Sequence, residues 1–151
     1  DRAIAAMFQA TLRPEDVAEA YSRAGVPVEP GKSLCDGIVP LDAAGTGGVG
    51  STDVGDVSWV VPTVQAGGAT CAIGTPFHTW QVTAQGKTAA AHKGMVHTAK
   101  AMAATAVAAL LDSSVIDTAR ADLRRRTGDR PYVCPLPPGS EPALDMSSRQ
   151  P

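Results

Sequence analysis

Side chains able to hold a metal ion or a substrate carboxylate gather in one short span of this chain. Gly50 to His78 reads GSTDVGDVSWVVPTVQAGGATCAIGTPFH, so an acidic turn carrying Asp53 and Asp56, two strand-like apolar runs and His78 follow one another without a long connection. Two more histidines, His92 and His97, come soon after. Neutral imidazole and carboxylate are ordinary ligands of zinc-type ions, and such ions usually take at least three protein ligands. His92 and His97 are five residues apart, roughly 140° around a helix of 3.6 residues per turn, so they cannot grip one ion as a pair. The residues alone leave His78 open between a metal ligand and a loop histidine with a satisfied hydrogen bond.

Other chemistries fit poorly. Gly45-Thr46-Gly47-Gly48-Val49-Gly50 matches G-x-G-x-x-G, but a strand-like run follows where a nucleotide site needs a helix, and no acid stands near Gln65 to Thr70. A flexible glycine loop is the better reading. Gly86-Lys87-Thr88 ends like a phosphate loop, yet Gln81 occupies the place of its leading glycine. The chain contains neither H-E-x-x-H nor G-x-S-x-G.

The elements that must position these residues can be read from pattern. Asp1 to Leu12 is expected to be a helix or its tail. Arg13-Pro14-Glu15-Asp16 opens a clearer helix, because proline suits the first turn and the acids face the positive end of the helix dipole; Gly25 should end it. Pro27, Pro30 and Gly31 make 25–33 a connector. The β-rich runs near 57–63 and 69–74, separated by Gln65-Ala66-Gly67-Gly68, predict neighbouring strands.

A long Ala-rich helix is expected over roughly 87–111. His92, Val96, Ala99, Ala103, Ala106 and Leu110 share one face, and Lys93, His97 and Lys100 a more polar one. So many alanines predict close backbone approach to a sheet or another helix. Asp112-Ser113-Ser114 breaks it, with Ser114 capping a further helix through Arg126. Residues 127–151 form a Pro-rich tail.

Composition bounds the function. At 151 residues, with 44% hydrophobic and 19% charged residues, the chain suits one globular domain with enough apolar content for a core. A net charge of -2 with scattered basic residues gives no footprint for nucleic acid, and Arg124-Arg125-Arg126 reads as a helix C-terminus. His92, Lys93, His97 and Lys100 interrupt the Ala-rich segment, so no membrane span is expected. Cys35, Cys71 and Cys134 match no zinc or redox spacing and predict reduced thiols in a cytoplasmic protein. A chain beginning at Asp1 rather than Met is expected to be trimmed or part of a longer polypeptide.

Four segments, GSTDVGDVSWVVPT, AIGTPFHTWQ, GKTAAAHKGM and PYVCPLP, resemble the aminobenzoyl-glutamate hydrolase branch of the aminoacylase and carboxypeptidase G family of metal-dependent amidohydrolases. The resemblance covers most of the chain and is most specific from Gly50 to Met95. It implies an α/β fold, the C-terminal portion of a zinc-peptidase-like catalytic domain with a sheet flanked by helices over residues 1–126, incomplete in this chain. Neighbouring strands would then be missing, leaving an exposed and aggregation-prone sheet edge.

The same resemblance implies cleavage of the amide bond of p-aminobenzoyl-glutamate or a related N-acyl amino acid, with two divalent metal ions, zinc or manganese. Gly50, Ser51, Thr52 and Asp53 would face the carboxylate of a small-molecule substrate. His78 would be the late metal-ligating histidine. Thr52 stands where many relatives carry glutamate, which moves a direct acid role away from this position. Asp53 is then supporting or structural, and His92 a further polar group near the site. The complete enzyme would be a homodimer or a hetero-oligomer with a paralogous subunit. The family's early His-x-Asp motif, bridging aspartate and adjacent glutamate pair have no counterpart here, so the chain alone is expected to be inactive. The competing reading is a non-catalytic binding or assembly chain using the same carboxylate pocket.

Overall fold

The computed structural model describes residues 1–41, 43, 45, 50, 52–128, 130–142 and 144. The glycine run at 46–49, Ser51 and the end of the tail lie outside the described residues. The chain forms two compact units, one of Asp1–Ser51 with Val64–Ser113, the other of Thr52–Thr63 with Ser114–Pro151.

The first unit holds α1 (Arg2–Gln9) and α2 (Pro14–Ala24). Pro14 stands at the start of α2, Glu15 and Asp16 fill its first turn and Arg23 its last, each charge matched to its end of the dipole. Gly25 closes it in the left-handed region at φ 66, and the Gly25 and Val26 amides donate to the carbonyls of Ser22 and Tyr21, a glycine stop of the Schellman type. Tyr21 and Ala5 are the buried residues of these two helices. Side chains then stitch the connector down: Gln9 Nε2 donates to the Lys32 and Ile73 carbonyls, and the buried Ser33 hydroxyl donates to the Arg2 carbonyl at 3.1 Å.

Farther along lie α4 (Trp80–Gln85) and α5 (Ala89–Leu111). Thr88 caps α5 by accepting from the Ala91 amide at 3.2 Å, a contact worth about 1 kcal/mol. The expected close approach is present, but to an irregular run rather than a sheet. At Gly94 the Ala69 carbonyl occupies the space a Cβ would need, and at Gly68 the Thr98 hydroxyl does the same. By length and composition α5 could cross a membrane.

In the second unit are α3 (Val54–Val60) and α6, which runs Ser113–Thr127 and contributes all but its first residue. Arg125 and Arg126 both pair with Asp122 one turn back.

The α/β expectation is overturned. The described residues contain six helices and no strand, so the flanked sheet and its exposed edge are both absent among them. Residues 57–60 are helical because the chain satisfies its own bonds there: the Val57 amide reaches the Asp53 carbonyl and the Val61 amide the Val57 carbonyl. Helix needs no partner, whereas a β-run needs another backbone beside it. Residues 69–74 meet no strand among the described residues. The Ala72 amide goes to the Gln85 side chain and the Ile73 amide to the Ser33 carbonyl.

Candidate functional site

His78 sits in the first unit, at the end of a loop that starts at Cys71. A buried glutamine organises this loop. Gln85 Oε1 accepts from the Ala72 amide at 2.7 Å, while its Nε2 donates to Thr75 Oγ1 and to the Gln81 carbonyl. Thr75, also buried, donates its own hydroxyl proton to the Ala72 carbonyl at 2.7 Å. These bonds are shielded from water, so the loop has little freedom to rearrange. Gly74 turns the chain at φ 90 against Val17, where a Cβ would lie 2.8 Å from the Val17 backbone.

The chain leaves this lattice through Pro76 and Phe77 and presents His78 exposed, at φ 60. A left-handed non-glycine residue costs free energy, and such strain tends to persist where a side chain must be aimed. Thr79 Oγ1 then donates to the Pro76 carbonyl at 2.7 Å and α4 begins. One buried acceptor, Gln81 Oε1, has no partner in the first turn of α4. Gln85 and Thr75 were not singled out by the sequence, because a glutamine reaching back 13 residues leaves no local pattern.

Thr52 and Asp53 lie in the second unit, at the entry to α3, and Gly50 in the first. Both Thr52 and Asp53 are exposed. Thr52 Oγ1 accepts a long bond from the Val54 amide at 3.4 Å, and the Asp53 carbonyl takes the Val57 amide at 3.2 Å. Asp53 makes no side-chain cap bond to α3. Ser51 lies outside the described residues.

The remaining candidates are dispersed. His92 and His97 are both exposed on α5. Asp56 lies on α3, where its carboxylate helps to raise the Tyr132 phenol. Among the described residues no group of three or more His, Cys, Asp or Glu could hold a metal ion. These residues therefore do not by themselves fit a two-metal site: His78 offers one imidazole of the three or more donors required. All three cysteines are free thiols. Burial pushes the Cys71 thiol upward, partly offset by bonds to the Thr75 and Thr70 hydroxyls, which makes it a weak nucleophile at neutral pH. Beside it a groove of about 400 Å³ is lined by Tyr21, Ala24, Val39 and Phe77 among others.

Comparison with known proteins bears out the resemblance drawn from the motifs. The chain is similar to a p-aminobenzoyl-glutamate hydrolase subunit of Escherichia coli (strain K12), with 41% identity over 110 residues, which is 73% of this chain and 23% of that relative. The chain thus spans about a quarter of the length of the curated relative it matches. No protein-family model and no solved structure matches it.

Proposed function

We propose that this chain takes part in hydrolysis of the amide bond of p-aminobenzoyl-glutamate or a related N-acyl amino acid, as a portion of a metal-dependent amidohydrolase assembled from more than one subunit. The similarity to a hydrolase subunit over 110 residues supports the reaction class and the assembly. One structural observation carries the site: His78 is exposed in a strained conformation at the end of a loop held by buried hydrogen bonds. That arrangement suits an imidazole aimed at an ion shared with donors from elsewhere in the assembly, zinc or manganese being the ions whose ligands include imidazole and carboxylate. The turn of Gly50, Ser51, Thr52 and Asp53 receives the substrate carboxylate through backbone amides and the Thr52 hydroxyl. Asp53 is then a supporting residue, since a bare carboxylate in contact with the substrate's own would repel it.

Chelator-sensitive release of p-aminobenzoate is the assay. The purified chain with added zinc or manganese should release none, because one imidazole cannot hold a catalytic ion. In the active assembly, His78→Ala should lower metal content and turnover together by about 100-fold or more, the loss expected when one metal contact and the acidity of its water go at once. His97→Ala should leave both within about twofold, as expected of an exposed helix position. Equal metal content and rate in the two variants would remove His78 from the site, and robust activity from the chain alone would require a different catalytic group.

A further inference from the structure

The C-terminal tail does more than trail away from α6. Gly128 turns the chain in the left-handed region at φ 61, its amide donating to the Arg124 carbonyl at 2.9 Å, the glycine stop of a helix. Arg130 then bonds the Thr127 carbonyl through both its backbone amide, at 3.3 Å, and its Nε, at 3.0 Å. Pinned there, its guanidinium lies over the Trp59 ring, 5.7 Å from the centroid. Two residues on, Tyr132 comes near enough to Asp56 and Cys134 for both to act on its hydroxyl and hold it neutral.

Both receiving residues belong to α3, and their three-residue spacing puts them on one face of it. That helix has only seven residues, none of them buried, and a helix so short does not hold itself in water. The turn before it is continuous with its first turn, since the Asp53 carbonyl and the Thr52 hydroxyl accept from the Val57 and Val54 amides. Fraying α3 would release both groups.

We propose that Arg130 to Cys134 is a clasp on α3, and that Arg130 and Tyr132, acting through Trp59 and Asp56, are positioning residues for the Thr52–Asp53 turn. That this turn meets a substrate carboxylate rests on the proposed function; that the clasp holds the turn does not. Aromatic face and cation make one contact, phenol and carboxylate the other, so each can be removed separately.

The experiment is amide hydrogen exchange by NMR on the full chain, without ligand. Trp59→Leu and Tyr132→Phe should each speed exchange at Val54 and Val57 by about fivefold or more, as expected when a local opening becomes easier, while α1 and α2 stay unchanged. Trp59→Phe, which keeps an aromatic face under Arg130, should recover most of the protection. Unchanged exchange at Val54 and Val57 in both disruptive variants would overturn the clasp, as would equal effects from Trp59→Phe and Trp59→Leu. Titration with p-aminobenzoyl-glutamate then separates the two readings. Shifts at the Thr52 and Asp53 amides that weaken in Tyr132→Phe support both; absence of such shifts in the unaltered chain, with the exchange effect present, keeps the clasp and removes the carboxylate assignment.

Discussion

The two candidate segments, the His78 loop and the Thr52–Asp53 turn, are held in opposite ways, each within its own unit. His78 is fixed by a buried lattice in which one amide side chain, Gln85, serves three partners from within its own unit. Thr52 and Asp53 lead into a short helix with no buried residue, which the tail touches at Trp59, the contact proposed to hold the turn. Buried hydrogen bonds are costly to break because the freed groups find no water, whereas exposed ones exchange with solvent at little cost. A metal-ligating group needs the first kind of support, since ion geometry tolerates little displacement. The turn proposed to receive a carboxylate can work with the second.

The sharpest way to break this comparison is Gln85→Leu. The substitution keeps bulk but leaves the buried Ala72 amide without an acceptor and takes from Thr75 Oγ1 the donor it accepts from, and should cost about 2–3 kcal/mol at the usual penalty for stranded buried polar groups. Denaturant unfolding read by Trp80 fluorescence in a Trp59→Phe background would measure it. Thr83→Ala, which removes only an exposed bond to the Thr79 carbonyl, is the control and should change little. A loss below about 0.5 kcal/mol, the ordinary scale of surface changes, would mean that the lattice does not support the loop.

How much of this was legible beforehand differs between the two segments for the same reason. Pro14, the acids after it and Gly25 announced α2 almost to the residue, and the alanine run announced α5, because caps and composition are local signals. The helix ending at its arginines was likewise readable, but it starts at Ser113, so Ser114 lies inside it and is not its cap. Val57 to Val61 misled, since β-branched residues favour strands only where another strand accepts them, and here local bonds to Asp53 and Val57 win. The six-residue α4 went unseen because a turn and a half carries too little periodicity to register. His78 could be picked out as a loop histidine, and the metal role proposed for it came only from the family resemblance of the motif around it. Neither the Gln85 lattice nor the Arg130 clasp had a sequence signature, because both join residues through tertiary contact.

A second test reverses sign between the two segments. His78 sits at φ 60, a region in which any Cβ is penalised, whereas Asp53 has helical angles of φ -71 and ψ -8. Replacing His78 by glycine should therefore leave the chain about 1 kcal/mol more stable than replacing it by alanine, the cost of a left-handed Cβ. At Asp53 the order inverts, glycine being worse than alanine by about 0.5–1 kcal/mol because it loses more backbone freedom in a helical conformation. Thermal unfolding of the four variants decides the matter. The same order at both positions would show that His78 is not strained and that the two segments do not differ in this respect.

The smallest effect expected is the one that probes the clasp by pH. Desolvation, then the bonds to Asp56 and Cys134 and the negative charge of Asp56, push the Tyr132 hydroxyl up from 10.0 to about 12. The sign follows from which form the fold prefers. A phenol raised in the folded chain is held neutral there, so its contribution is fully present below pH 10, the unfolded value, and disappears as pH rises towards 12. Tyr132 is about a third exposed, and solvent and salt screen the contacts of an accessible group, so the change in overall stability should be slight. The titration itself should still be plain: in a Tyr21→Phe background, absorbance at the phenolate band should rise near pH 12 rather than near 10, and Asp56→Asn should bring the midpoint down. Trp59 fluorescence should change over the same interval if losing the Tyr132 bond loosens Arg130 from the ring. A midpoint near 10, the ordinary value, with Asp56 intact would place Tyr132 free in solvent. The Thr52–Asp53 turn would then rest on the Arg130 contact alone, and it and the His78 loop would differ still more in how firmly each is held.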